Sequence, residues 1–140
     1  ISNVTKVQKL CWHNGENYRD DITMWRKHRG VWEAHTWGNY GNWSRDIGHA
    51  LIAQGLKSVD KISIISETRM EWVILDMAIM SVGCITAPVY PSNTEEQVKY
   101  IVKHSESKVV FAEDQEQLDK MLVIWKDLQM VKKIVVIDKY

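Results

Sequence analysis

Cysteine and proline are both scarce in this chain, with two of each in 140 residues. Cys11 and Cys84 lie in unrelated contexts, which argues against a disulfide framework and fits a reducing compartment. A cytoplasmic location is therefore expected, with peripheral membrane contact left open. No basic stretch followed by an apolar run opens the chain, so a secretory leader is not expected, and no window reaches the roughly 20 apolar residues that cross a bilayer. An excess of one charge is missing too: 18 Lys and Arg face 18 Asp and Glu. No overall field favours nucleic acid, which is not an expected partner.

Several catalytic motifs are also absent. A dinucleotide fold places G-x-G-x-x-G after its first strand so that the backbone can approach a pyrophosphate, but the first parallel strand here leads into Glu67-Thr68-Arg69. Neither a Walker-type loop nor a G-x-S-x-G nucleophile elbow occurs. A phosphoacceptor receiver domain needs acidic residues at strand ends, and Ile65 and Ser66 stand there instead. His13, His28, His35, His49 and His104 are scattered, and Cys11-x-His13 is no closed metal site.

What is present centres on Asp60 to Pro91. Lys61 to Ser66 is a short β-branched run suited to a strand buried on both faces. Thr68 and Glu71 form a capping-box pattern that starts a helix at about Arg69. From Met70 to Val82 only Glu71, Asp76 and Ser81 are polar, so this helix must be covered on more than one side. Gly83 then stops it as a left-handed C-terminal cap.

Before this unit, Val4 to about His13 reads as an amphipathic helix ending near Asn14-Gly15. Asp21 to Lys27 and Gly30 to His35 read as a hairpin with Trp25 and Trp32 as β-favouring side chains. Its basic tip, Arg26-Lys27-His28-Arg29, is better explained as a solvated turn than as a phosphate site. Thr36 caps a helix with the stripe Trp37, Tyr40, Trp43, Ile47, Ala50 and Leu51, in which Gly38, Gly41 and Gly48 are either marks of close packing by a neighbour or mere drift. Five of the seven tryptophans precede residue 45, and their ordinary use is packing rather than a ligand platform.

After it, Ile85 to Tyr90 is a strand that its prolines make short or confine to a sheet edge. Thr94 and Gln97 cap a helix buried through Val98, Ile101 and Val102, and Ser107 to Ala112 is a strand. Glu113 follows that strand, and Asp114 is most simply a helix cap, paired with Gln117. The next stripe is Leu118, Met121, Leu122, Trp125 and Leu128, and Lys133 to Ile137 is a last strand. The fold class is therefore α/β: a mostly parallel sheet with alternating helices and right-handed crossovers over 36–140, after a helix and β-hairpin over 1–35.

Thr36-Trp37-x-x-Tyr40, Glu67-Thr68-Arg69-Met70-Glu71-Trp72, Met80 through Pro91, and Gln97-Val98-x-Tyr100-Ile101-Val102-x-His104-Ser105-Glu106 occur in an order that resembles the N-terminal part of an AMP-forming acyl-CoA synthetase of the long-chain fatty acid type. The resemblance runs from about Val4 to Tyr140. It departs from the family at Asn39, where Glu is frequent, at Val59, where Gly usually precedes Asp60, and at Met70, where Pro is usual. These changes bear on local stability.

The resemblance implies a parent that uses ATP, Mg²⁺ and CoA to activate a fatty acid, and a chain starting at Ile1 that is a piece of it. It implies ATP-phosphate, adenine, ribose and metal motifs beyond Tyr140, so no catalytic, cofactor-binding or metal residue is assigned between Ile1 and Tyr140. Lys120 is the one cation placed where acetyl-type relatives meet the CoA phosphate, and it is not adopted. No cofactor is expected to bind this chain alone. Its expected partner is the remainder of the parent synthetase, with self-association where apolar surface is left open. The alternative is a non-catalytic α/β binding or interaction domain.

Overall fold

The computed structural model describes residues 6–138. Helix α1 (Val7–Asn17) leads into the hairpin β1 (Ile22–His28) and β2 (Val31–Thr36). Then follow α2 (Trp37–Ala53), β3 (Lys61–Ile65), α3 (Met70–Ser81), β4 (Ile85–Val89), α4 (Glu95–Ser105), β5 (Val109–Ala112), α5 (Gln115–Ile124) and β6 (Lys133–Val136). The last four strands form one parallel sheet in the order β4-β3-β5-β6, which puts proline-bearing β4 at an edge.

Alternation along the strands builds two cores. Ile62, Ile64, Val109 and Phe111 point to the face covered by α2 and α3, where they meet Leu51, Leu75 and Ile79. Ile65 and Val110 point to the other face, against Val98 and Val102 of α4 and Met121 and Ile124 of α5. Both central strands are thus buried on both faces, as their β-branched runs require. Each fully buried isoleucine or valine contributes about 1.5–3 kcal/mol relative to exposure. Helix α3 lies between the sheet and α2, with Ile74 and Met77 facing α2 and Leu75 and Ile79 facing the strands. Double coverage is what its apolar circumference demands. Gly83 follows it at φ +77°, and the amide of Cys84 returns to the carbonyl of Ile79 at 3.1 Å.

Close packing by neighbouring segments explains the glycines of α2. A Cβ on Gly38 would stand 2.7 Å from Cγ and 3.0 Å from the carbonyl oxygen of Arg19, and one on Gly48 would stand 3.2 Å from Val82. Helix α1 does not stop at Asn14-Gly15 but continues to Asn17, because Gly15 and Gly41 meet where α1 crosses α2. Val4 lies outside the described residues.

Other expectations are corrected as well. Thr68 does not cap α3: Arg69 occupies the N-cap without a side-chain cap bond, and Glu71 is drawn into ion pairs. Asn39 completes the capping box, accepting from the Thr36 amide at 3.0 Å while Thr36 Oγ1 accepts from the Asn39 amide at 3.2 Å. On α5 the buried stripe is Gln117, Met121 and Ile124, continued beyond the helix by Leu128, whereas Leu122 and, just past the helix, Trp125 are exposed. The strand expected from Ser107 begins at Val109, and Ser107 instead joins a buried hydroxyl chain, 2.7 Å from Ser63. Trp72 is half-buried and packs against the core on the α2/α3 side of the sheet. Ala50 is exposed, and so are Trp25 and Trp32.

Val59 takes φ +65° in the turn before β3, a left-handed conformation that a β-branched side chain rarely adopts, and it is exposed. Left-handed backbone costs a residue with a Cβ about 1–2 kcal/mol, part of which glycine returns through its greater unfolded freedom. Val59→Gly is therefore expected to stabilise the chain by up to about 1 kcal/mol. A denaturant midpoint that rises at constant slope would show this, and one that falls would mean the valine side chain holds the turn.

Candidate functional site

In an open parallel sheet, ligands bind beyond the carboxyl ends of the strands, at the point where the strand order reverses. Here the chain leaves β3 for β4 on one side and returns to β5 on the other, so that point lies between β3 and β5. Its two lips are Ser66-Glu67-Thr68-Arg69 and Glu113-Asp114.

The lips are joined to each other. The Glu67 amide donates to Glu113 Oε2 at 2.7 Å, and the Glu113 amide donates to the Ile65 carbonyl at 2.9 Å. Across them lies Arg69, whose side chain is 19% exposed. Its Nε donates to Glu71 at 2.8 Å, its Nη1 to Glu113 at 3.1 Å, and both Nη atoms grip Asp138 at 2.8 and 2.9 Å. Arg26 of the hairpin adds a 3.0 Å ion pair to the second oxygen of Glu71. One guanidinium thereby ties the ends of β3, β5 and β6 to the start of α3, and Arg26 brings in the hairpin.

Titration follows this geometry. The Asp138 carboxyl lies below its ordinary range because of the Arg69 hydrogen bonds, and burial opposes this only in part. For Glu71 burial is the largest influence and pushes upward, but the hydrogen bond from Arg69 and the charges of Arg69 and Arg26 together outweigh it and leave the carboxyl lowered. Arg69 itself is held more firmly protonated, chiefly by Asp138 and then Glu71.

Such a crevice does not fit a nucleotide phosphate. The amide that could greet an anion, that of Glu67, is taken by a carboxylate. The first turn of α5 is capped by Asp114 and that of α4 by Thr94. Both cations beside the crevice are engaged: Arg69 as above, and Lys120 with the Pro91 carbonyl at 2.6 Å and Glu116 at 3.1 Å. The sequence position considered for a CoA phosphate is thus occupied by the chain's own groups. Among the described residues, no group of three or more His, Cys, Asp or Glu could hold a metal ion.

The remaining candidates are dispersed. Arg26 turns to Glu71, and Lys27 lies over the Trp32 ring, so the basic tip is not gathered into a site. Cys11 is buried, which pushes its thiol up to about 11, whereas His13 pairs with Asn17 on the surface. The Arg69 assembly escaped the sequence reading because its partners stand 44 and 69 positions away. Their common signal is positional: each follows a parallel strand, and such strands all end on one edge.

Strand order and switch point define a doubly wound α/β scaffold whose crevice is closed by its own charges. Residues 11–140 match the family described as AMP-binding enzyme, and the chain belongs to that family. It is 40% identical over 101 residues to the long-chain-fatty-acid–CoA ligase FadD15 of Mycobacterium tuberculosis, covering 70% of this chain and 17% of that protein. With human long-chain-fatty-acid–CoA ligase ACSBG1 the identity is 25% over 93% of this chain and 18% of the relative. The chain therefore spans less than a fifth of these curated relatives. Among solved structures, the anthranilate CoA ligase AuaEII in complex with anthranoyl-AMP superposes with a TM-score of 0.85 at 21% identity, over 93% of this chain and 24% of that one. At that identity the likeness shows the fold.

Removing Arg69 should cost more than a surface pair and less than a fully buried one. Arg69→Met is expected to destabilise by about 2–4 kcal/mol, between about 1 for exposed pairs and 3–5 for buried ones. The folded pKa values of Glu71 and Asp138 are depressed, so their contribution is present above the unfolded carboxylate pKa near 4 and is lost as pH falls through the lower folded values. Stability measured from pH 6 to pH 2 should fall less steeply at the acid end in Arg69→Met than in the parent chain. Parallel curves would remove Arg69 as the source of the acid sensitivity.

Proposed function

We propose that these residues are the N-terminal scaffold of a fatty acyl-CoA ligase. The full-length protein would join a fatty acid to ATP, forming an acyl-adenylate and pyrophosphate, and then pass the acyl group to CoA. Support comes from the relatives' activity, as their names state it, together with the closed crevice, which carries the scaffold reading. Adenylate formation depends on positioning and on charge stabilisation around the phosphates. At the crevice the Glu67 amide, Arg69 and Lys120 are already paired within the chain. The loops that hold ATP, Mg²⁺ and CoA would be supplied by other parts of the parent, and no step of the reaction is assigned to a residue of this chain.

Scaffold residues also leave a surface for the remainder of the parent. Beside edge strand β6 a groove of about 470 Å³ opens between Ile47, Ile74 and Leu75 on the helices and Phe111, Val135 and Ile137 on the strands. Open edge strands and contiguous apolar surface favour association. The isolated chain is expected to self-associate at high concentration, seen as a rise in weight-average mass by light scattering. A monomer at every concentration would mean that nothing needs to cover the groove.

The direct test is ATP–pyrophosphate exchange. The 140-residue chain should show none with any fatty acid, whereas a gene product extending through the further loops should show exchange that depends on a medium or long fatty acid. Exchange by the short chain would overturn the scaffold reading. An extended protein that bound ATP yet activated no carboxylate would favour a non-catalytic binding domain.

A further inference from the structure

Ser63 interrupts the isoleucines of β3. Alternation places it with Ile65 on the face that α4 covers, and it is fully buried there. Its hydroxyl lies 2.7 Å from that of Ser107, which is also fully buried. Ser107 lies in turn 2.8 Å from Ser105, whose hydroxyl donates to the Val102 carbonyl at 3.1 Å. A hydroxyl has a single proton, and a carbonyl can only accept. The Ser105 proton therefore goes to Val102, the Ser107 proton to Ser105, and the Ser63 proton to Ser107. These hydroxyls form a one-way chain from the central strand to the last turn of α4. Ser105 and Ser107 flank Glu106, which ends that helix at φ +55° and ψ +37°. Such a left-handed position usually belongs to glycine, because a Cβ there crowds the following carbonyl. The Glu106 side chain does little to hold it, being 76% exposed with a loose 3.8 Å pair to Lys61.

We propose that this chain of hydroxyls is a latch that holds the left-handed turn at Glu106, and with it the junction from α4 to β5, against the centre of the sheet. Ser107 is its pivotal member, since it alone both accepts from one side chain and donates to another. Apolar contact between α4 and the sheet is non-directional and tolerates small shifts, whereas linked hydroxyls with one proton each close in a single arrangement. The backbone at the turn agrees with this: the amide of Ser107 returns to the Val102 carbonyl at 3.2 Å, and that of Lys108 reaches the Lys61 carbonyl on β3 at 2.9 Å. Ser63 and Ser107 lie wholly inside the layer between sheet and helix, so the latch works whatever covers the outer surface.

Thermal melting and amide hydrogen exchange of serine variants of the 140-residue chain test this. Ser107→Ala removes two bonds and leaves the Ser63 proton without an acceptor, so the melting midpoint should fall by about 4–8 °C. Ser63→Ala strands no proton and should lower it less. Ser63→Ala/Ser107→Ala should melt no lower than Ser107→Ala, because no stranded proton remains. The signature particular to a latch is local. After correction for global stability, the amides at positions 106–108 should exchange about tenfold faster in Ser107→Ala, while those of β3 do not. Adding Glu106→Gly should restore their protection, since glycine takes the left-handed turn unaided. Ser63→Ala, with and without Glu106→Gly, reads the same local loss and recovery in smaller measure should Ser107→Ala fail to fold. The proposal is overturned by exchange that rises uniformly along the chain, by a double serine variant whose loss is the sum of the single losses, or by no recovery with Glu106→Gly.

Discussion

Parallel strands all end on the same edge of their sheet, and this chain has to hold that edge together with few contacts. Arg69 meets the constraint. It occupies the N-cap of α3 with extended backbone and reaches carboxylates that follow β5 and β6 as well as one in its own helix. A planar guanidinium with five donors can serve three carboxylates at once, including a two-pronged grip on Asp138, which a lysine ammonium cannot reproduce. Through Glu71 and Arg26 the same assembly fixes the hairpin over the helical layer.

That clamp determines what the crevice can do. The switch point of a doubly wound sheet is where a phosphate would be received, on free amides and helix N-termini. Here Glu113 and Asp114 supply the negative charge from within, and the amides of Glu67 and of Gln117 in the first turn of α5 are satisfied without a ligand. The groups that could meet an anion at this edge are held by the chain's own carboxylates.

Much of this frame was legible in the residues because local rules and burial agreed. The β-branched runs at β3 and β5, the boxes at Thr36 and Thr94, Gly83 as a stop and the proline-marked edge at β4 each follow from short-range chemistry. Failures arose where a distant partner outweighed a local preference. Gly15 stays helical because it faces Gly41, Thr68 loses its cap because Glu71 serves two arginines, and the α5 stripe rotates so that Ile124 meets the sheet. Trp25 and Trp32 misled most. Strand alternation could have placed them together on one face, but nothing local says which face turns outward.

The central claim is that the crevice between β3 and β5 is a clamp rather than a phosphate site. Amide resonances of Glu67, Thr68 and Gln115, followed during titration of the 140-residue chain with ATP and Mg²⁺, test it most directly. The clamp predicts that these signals stay in place at millimolar nucleotide and shift when Arg69 is replaced by Met. Saturable shifts on adding ATP to the unaltered chain would contradict it.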